Sequence, residues 1–144
     1  MIRVLFICHG NICRSPMAEF IFKDMVSGRN LADRFYIASA ATSTEEIWNG
    51  IGNPVYPPAR EELARHGISC KGKRAVQLTK ADYEKYDYIL GMDHWNLKNM
   101  MRILKNDPEG KVKLLLDYSD NPRDIADPWY TGGFDVTYSD VVEG

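Results

Sequence analysis

The chain has 144 residues, which fits one domain, residues 1–144, whose core is large enough to need no disulfide or metal. Its 44% hydrophobic and 26% charged residues are typical of a globular protein, and a net charge of −2 argues against a sequence-independent nucleic-acid binder. The apolar start is too short to span a membrane and lacks a signal-peptide cleavage site. Three cysteines cannot all pair within the chain, so we expect free thiols and a cytoplasmic location. From the net charge and the short apolar start we expect no nucleic-acid and no membrane partner.

Short apolar runs alternate with longer amphipathic stretches along the first half of the chain, a pattern typical of a parallel sheet with connecting helices. A buried strand is predicted at 3–7. A helix follows, with Ser15 as its cap and Pro16 at its first position. The second strand is predicted at 35–39, followed by a polar loop, rich in Gly and Pro, at 40–57.

The second half continues the alternation. Its predicted elements are a helix at 58–66 that stops at Gly67, a strand at 86–90, a helix at 96–104 capped by Asp93, a strand at 112–116, a loop without helix or strand at 117–133, and a helix starting near 136. Together these elements predict a single-domain α/β fold: a four-stranded, parallel, twisted sheet with helices on both faces. Ligands of such sheets bind at the carboxyl ends of the strands, so the loop after the first strand is the first candidate site.

The residues of that loop carry a specific chemistry. In order they are Cys8, His9, Gly10, Asn11, Ile12, Cys13, Arg14 and Ser15, with Pro16 after them. The backbone N–H groups can form an anion-binding nest, and the following helix adds the positive end of its dipole. Arg14 can hold two phosphate oxygens with its planar guanidinium. The same field favours a thiolate at Cys8, and Ser15 can donate a hydrogen bond to the sulfur. One loop can therefore bind a phosphate and aim a nucleophile at it.

A candidate acid lies in the second long loop. Asp127 is followed by Pro128, Trp129 and Tyr130. The proline favours an extended backbone at Asp127, which projects the carboxyl group from the loop. Trp129 and Tyr130 can form one wall of a slot for a flat aromatic substrate. Asp127 is therefore our candidate to protonate the leaving oxygen, and then to act as general base for the water that releases phosphate.

Residues 4–19 and the Asp-Pro-aromatic-aromatic motif at Asp127 resemble the low-molecular-weight protein tyrosine phosphatase family, and the likeness extends from about 4 to about 138. The resemblance implies a protein tyrosine phosphatase that hydrolyses phosphotyrosine and small aryl phosphates through a phosphocysteine at Cys8. It implies Arg14 and Asp127 as the other catalytic residues, and neither metal nor cofactor. Partners would be phosphotyrosine-containing proteins and a cognate tyrosine kinase. Relatives end in a long helix, so we expect this chain's last helix to be short or missing.

The resemblance also implies residues that bind substrate and residues that brace the loop. The implied substrate-binding residues are His9, Gly10, Asn11, Ile12, Cys13, Ser15, Trp48, Trp129 and Tyr130. Asn11, Ser15, Ser39 and His66 would support the loop by hydrogen bonds, although a histidine beside Gly67 is otherwise most often a helix cap. Cys13 would form a reversible disulfide with Cys8 and protect it from overoxidation, with simple packing as the alternative.

Several other classes of protein remain as alternatives. Arsenate reductases of the same fold need a further cysteine pair near the third strand, and residues 86–101 contain no cysteine. A branch of the family that prefers phosphoarginine has threonine where Ile12 stands. A nucleotide-binding module would need a glycine-rich fingerprint that the loop lacks. A non-catalytic phosphate binder would not need a nucleophile and an acid together. A zinc site would have to use an unusual spacing of Cys8, His9 and Cys13.

Overall fold

The computed structural model describes all of residues 1–144. In chain order its elements are β1 (Ile2–Cys8), α1 (Arg14–Gly28), β2 (Phe35–Ala41), β3 (Ile47–Trp48), β4 (Ile51–Gly52), α2 (Pro57–Arg65), α3 (Asp82–Lys85), β5 (Tyr88–Gly91), α4 (His94–Leu104), β6 (Val112–Leu114), α5 (Pro128–Thr131) and α6 (Phe134–Glu143). Two short 3-10 helices occupy Ala32–Arg34 and Leu115–Tyr118.

Four of the strands form one parallel sheet in the order β2-β1-β5-β6. β1 lies inside the sheet, and its residues from Val4 to Cys8 are all buried. Such continuous burial is expected where helices cover both faces of a parallel sheet. The predicted four-stranded parallel sheet is therefore confirmed.

The side chains of β1 point alternately to the two faces of the sheet and so enter two different clusters. Val4, Phe6 and Cys8 pack in a cluster that contains residues of α1, α2 and α6. Leu5 and Ile7 pack in a second cluster with residues of α3 and α4. Helices thus lie on both faces, as the sequence predicts, and the strand that carries Cys8 is held from both sides.

The carboxyl ends of the sheet strands bring three connecting segments to one edge. β1 ends at Cys8, β2 ends just before Thr42, and β5 ends just before Met92. The backbone N–H of Thr42 donates to the carbonyl oxygen of Cys8 at 3.1 Å. The N–H of Ile125, from the second long loop, donates to the carbonyl oxygen of Met92 at 2.8 Å. The first long loop therefore adjoins the end of β1 and the second adjoins the end of β5, at the same edge of the sheet.

The first helix begins two residues earlier than predicted, and the predicted cap is wrong. α1 starts at Arg14, with Cys13 before it making no side-chain capping hydrogen bond. The Ser15 hydroxyl instead bonds within the preceding loop. Pro16 is the third helical residue rather than the first, and it is tolerated there because the N–H groups of the first turn have no helical partner.

Short elements within the two long loops also differ from the prediction. The 40–57 loop contains the antiparallel hairpin β3–β4, and the 117–133 loop, predicted without a helix, contains α5. The fourth strand stops at Leu114 because a 3-10 helix follows it. The last helix, α6, begins at Phe134 and has 10 residues. Strands of two residues and helices of four are too short to give a periodic pattern. No helix combines the length and the apolarity that crossing a bilayer requires.

Replacing Ile89 by alanine should destabilise the fold by about 2–5 kcal/mol, since a fully buried side chain would leave a cavity. Ile89 lies in β5 and has 0% exposure, whereas Ile51 in β4 is 63% exposed. Ile51→Ala, the same substitution at the surface, should change the free energy of unfolding by less than about 0.5 kcal/mol. Urea denaturation of both variants measures this difference, and equal losses would contradict the assignment of Ile89 to the core.

Candidate active site

Cys8 lies at the base of a cavity of about 360 Å³ at the carboxyl edge of the sheet. The cavity is lined by Cys8, His9, Gly10, Ile12, Cys13 and Arg14 of the Cys8–Arg14 loop, by Glu45 and Glu46, and by Asp127, Trp129 and Tyr130. The first and the second long loop thus both contribute to it. The candidate nucleophile, the candidate phosphate clamp and the candidate acid converge on one cavity.

The shape of the Cys8–Arg14 loop depends on Asn11, which is fully buried and has a left-handed backbone with φ of 59°. A non-glycine residue holds this conformation only when its surroundings support it. The side-chain amide donates to the hydroxyl oxygens of Ser15 at 2.8 Å and Ser39 at 2.9 Å. Its carbonyl oxygen accepts from the backbone N–H of Val76 at 3.0 Å. Asn11 therefore joins the loop to α1, to β2 and to the segment after α2.

The Ser15 hydroxyl lies 3.0 Å from the sulfur of Cys8. Because the oxygen of Ser15 already accepts a hydrogen bond from Asn11, its own hydrogen is free to point at the sulfur. This contact matches the role predicted for Ser15 beside Cys8.

Behind the loop lies a charged pair, made of buried Glu19 and half-buried Lys73, that the sequence alone does not predict. The Ser39 hydroxyl donates to the carboxylate of Glu19 at 2.6 Å. The ammonium of Lys73 lies 3.4 Å from the same carboxylate and donates to the backbone carbonyl of Ser39 at 3.0 Å. Burial lowers the pKa of Lys73, and Glu19 acts against this shift. The one feature of the sequence that could have indicated this pair is Glu19, a carboxylate next to Ala18 on the side of α1 that faces the core.

Arg14 is held rigidly at the other end of the loop, with its side chain only 3% exposed. One guanidinium nitrogen, Nη1, donates to Asp93 at 2.6 Å and to the backbone carbonyl of Ile125 at 2.9 Å. Burial disfavours the charge, but Cys8 and Asp93 outweigh it and raise the pKa of Arg14. Asp93 also accepts from the N–H of Asn96 at 2.8 Å, so its predicted role as the α4 cap is confirmed.

Asp127 enters the cavity from the start of α5. One carboxylate oxygen accepts from the backbone N–H of Trp129 at 3.0 Å, and the other faces Nη2 of Arg14 at 3.5 Å. The side chain is 27% exposed, so water and substrate can reach it. The ring of Trp129 packs on the ring of Tyr56 with a centroid distance of 4.7 Å. Tyr130 is largely exposed at the mouth of the cavity.

Cys13 lines the cavity as a buried free thiol. Burial raises the pKa of Cys13 above its usual range, and the negative charge of Cys8 adds to the shift. Cys13 is therefore a protonated thiol at neutral pH. No group of three or more His, Cys, Asp or Glu side chains is placed to hold a metal ion.

Two of the predicted site residues lie elsewhere. Trp48, in β3, is 79% exposed and does not line the cavity. His66 hydrogen-bonds to Glu62 at 3.0 Å and stacks on the ring of Tyr138 at 3.6 Å, so the structure does not bring it into the hydrogen bonds around Asn11. The cation behind the loop is Lys73 instead. Sequence position alone did not reveal this, because the contacts of Lys73 are with distant segments.

Comparisons with known proteins agree with this architecture. The family model for low molecular weight phosphotyrosine protein phosphatase matches residues 3–143. The chain is 40% identical over 137 residues to the low molecular weight protein-tyrosine-phosphatase YfkJ of Bacillus subtilis, covering 94% of this chain and 85% of that protein. It is 40% identical over 140 residues to the low molecular weight phosphotyrosine protein phosphatase of Rattus norvegicus, with the same coverage. The crystal structure of YfkJ superposes with a TM-score of 0.90 at 38% identity, covering 98% of this chain and 87% of that one.

The fold and the cavity define an α/β enzyme of the phosphatase class, in which the loop after β1 carries a cysteine and an arginine. The chain belongs to the low molecular weight phosphotyrosine protein phosphatase family. It is a protein-tyrosine-phosphatase.

Replacing Asn11 by alanine should destabilise the protein by about 2–4 kcal/mol, because buried polar groups would lose their partners and a left-handed alanine is strained. Asn30 is a matched control: its φ is also 59°, but it is exposed. Asn30→Ala should cost only about 1 kcal/mol, from the backbone alone. Urea denaturation compares the two, and phosphate binding should weaken only in Asn11→Ala. Equal losses in the two variants would mean that the side-chain hydrogen bonds of Asn11 do not hold the loop.

Proposed function

We propose that the protein hydrolyses phosphotyrosine in proteins, and small aryl phosphates, in two steps through a phosphocysteine at Cys8 and without a metal ion. The observation that carries the proposal is the convergence of the Cys8 sulfur, the Arg14 guanidinium and the Asp127 carboxyl group on one cavity. Phosphoryl transfer needs a nucleophile in line, positive charge around the equatorial oxygens, and an acid for the leaving oxygen. The cavity supplies one group for each need.

In the first step the Cys8 thiolate attacks the phosphorus while the bond from phosphorus to the tyrosine oxygen breaks. The electron pair of that bond goes to the leaving oxygen, which takes a proton from Asp127. Arg14 and the N–H groups of the Cys8–Arg14 loop stabilise the charge on the equatorial oxygens. Asp93 and the Ile125 carbonyl occupy Nη1 of Arg14, so the remaining N–H groups of the guanidinium are available to the phosphate.

In the second step a water molecule attacks the phosphocysteine. Asp127, now a carboxylate, takes a proton from this water as a new bond from phosphorus to oxygen forms. The sulfur–phosphorus bond breaks, and its electron pair returns to Cys8 as a thiolate. The Ser15 hydroxyl, 3.0 Å from the sulfur, stabilises the thiolate as it leaves.

The walls of the cavity support an aromatic substrate. Trp129 and Tyr130 flank the opening, and Ile12 adds an apolar surface deeper in the loop. A phenyl ring can pack among these side chains while its phosphate reaches Arg14. We assign substrate binding to the cavity-lining residues. Of the residues predicted to bind substrate, Asn11, Ser15 and Trp48 do not line the cavity and are left out. The natural substrates would be proteins phosphorylated on tyrosine by a cognate kinase.

A redox role for Cys13 follows from its place in the same cavity as Cys8. A two-electron oxidant such as hydrogen peroxide would convert the Cys8 thiolate to a sulfenic acid. The Cys13 sulfur would then attack, release water and form the Cys8–Cys13 disulfide, which a thiol reductant reverses. Such a device suits the reducing, cytoplasmic location that we propose.

Cys8→Ser should reduce turnover of para-nitrophenyl phosphate by more than about 10³-fold, because a serine hydroxyl is not ionised at the pH of the assay. The assay is run at mildly acidic pH with EDTA and a reductant, so a metal-dependent contaminant is silent. Cys70→Ser is the matched control, since Cys70 is a free thiol outside the cavity, and it should stay active. Activity of the Cys8 variant, or dependence of the wild type on added metal, would contradict the mechanism. Phosphoarginine, assayed in parallel, tests the alternative that the enzyme belongs to the branch that prefers phosphoarginine, which has threonine where Ile12 stands.

Asp127→Asn should lower kcat by about 10²–10⁴-fold, since an amide cannot donate the proton. The loss should be larger with phenyl phosphate than with para-nitrophenyl phosphate, whose leaving group needs less protonation. Wild-type activity should follow a bell-shaped pH profile with an acidic optimum, and the alkaline limb should flatten in the variant. Asp120→Asn, an exposed position in the same loop, should behave as wild type. An unchanged alkaline limb would assign the acid to another group.

A further inference from the structure

Two glutamates that belong to no catalytic step line the cavity. Glu45 and Glu46 precede β3 in the first long loop. Their segment is fixed to the Cys8–Arg14 loop, because the backbone N–H of Ser43 donates to the carbonyl oxygen of His9 at 2.9 Å. The hydroxyl of Ser43 accepts from the N–H of Glu45 at 3.0 Å. The two carboxylates are therefore held at the opening through which a substrate must pass.

Glu46 is the closer of the two to the phosphate-binding backbone. Its side chain packs over Gly10: a methyl group at that glycine would come within 3.2 Å of Cγ of Glu46. Its carboxylate accepts a hydrogen bond from the side-chain amide of Asn53 at 2.7 Å. That partner is neutral, so the hydrogen bond orients the carboxylate without cancelling its charge.

The negative charge of Glu45 is compensated only in part. Its carboxylate lies 3.1 Å from Nε2 of His9, which carries a positive charge only when the imidazole is protonated. The only other cation among the lining residues is Arg14, which the bound phosphate would neutralise. Once phosphate is bound, the opening therefore has an excess of negative charge.

This excess has a consequence for any peptide substrate. The residues on either side of a phosphotyrosine must cross the cavity opening, well within the screening distance of about 8–10 Å at physiological salt. Lysine or arginine there meets opposite charge, whereas aspartate or glutamate meets like charge. Like-charge contact at a rim lowers the rate of productive association and the affinity together.

We propose that Glu45 and Glu46 select phosphotyrosine sites flanked by lysine or arginine and disfavour sites flanked by acidic residues. The proposal rests on the proposed function, because it concerns the substrates of the same cavity. Glu46 contributes more than Glu45, since its neighbour is neutral. The substrate class of the enzyme is therefore basic phosphotyrosine segments.

The test compares kcat/KM for three phosphotyrosine peptides that differ only in the residues beside the phosphotyrosine: lysine, glutamine or glutamate. At about 50 mM salt the wild type should prefer the lysine peptide over the glutamate peptide by about tenfold, and at about 500 mM salt the preference should shrink to about twofold. The double variant Glu45→Gln with Glu46→Gln should lose most of the preference at low salt. Glutamine keeps the shape of both side chains and an oxygen acceptor for Asn53.

Glu84→Gln is the matched control, because Glu84 is exposed on α3 and does not line the cavity. It should keep the full preference. Equal kcat/KM for the lysine and glutamate peptides in the wild type, or an undiminished preference in the double variant, would overturn the proposal. Para-nitrophenyl phosphate has no flanking residues, so it tests the proposed function separately from the selectivity. If the enzyme hydrolyses it and uses all three peptides equally, only the proposed selectivity is rejected. Failure to hydrolyse it or any peptide would reject the proposed function.

Discussion

The Asn11 side chain makes the hydrogen bonds on which the rest of the site depends. Its amide and carbonyl reach Ser15, Ser39 and Val76, which belong to three segments far apart in sequence. These bonds hold a left-handed backbone that would otherwise be unfavourable, and this left-handed residue turns the loop back toward α1. The same bonds orient the Ser15 hydroxyl toward the Cys8 sulfur. The shape of the loop and the hydroxyl contact at the sulfur thus have a common structural origin.

A buried ion pair fixes the positive side of the cavity. Asp93 uses one carboxylate oxygen to cap α4 and the other to hold Arg14. A buried guanidinium without a partner would be costly, and a pair can lose in desolvation what it gains in attraction. Here the Ile125 carbonyl and Asp127 add further acceptors, so the charge of Arg14 is retained. Through these contacts the guanidinium of Arg14 also holds the segment that carries Asp127 close to the cavity.

Local patterns in the sequence predicted the sheet, the loop after β1 and the motif at Asp127, because each depends on neighbours within a few residues. The supporting contacts could not be predicted in this way. Lys73 reaches Ser39 across 34 positions, and Arg14 reaches Asp93 across 79. His66 was assigned to the loop by resemblance, but the packing of α2 against α6 directs its ring to Tyr138. Ser15 is not the cap because the helix already begins at Arg14, and the Ser15 hydroxyl bonds to Asn11 and Cys8 instead.

The structure separates the parts that set the chemistry from the parts that meet the substrate. Asn11, Ser15 and Arg14 are almost fully buried and each is held by side-chain hydrogen bonds, so a change at any of them alters stability and the site together. The opening is made of exposed side chains, such as Tyr130 and Glu45, whose contacts contribute little to the fold. Substitutions at the opening can therefore alter which phosphotyrosine segments bind while the cavity base stays intact. A change of charge at the opening can thus alter the choice of phosphorylated protein with little effect on the stability of the fold.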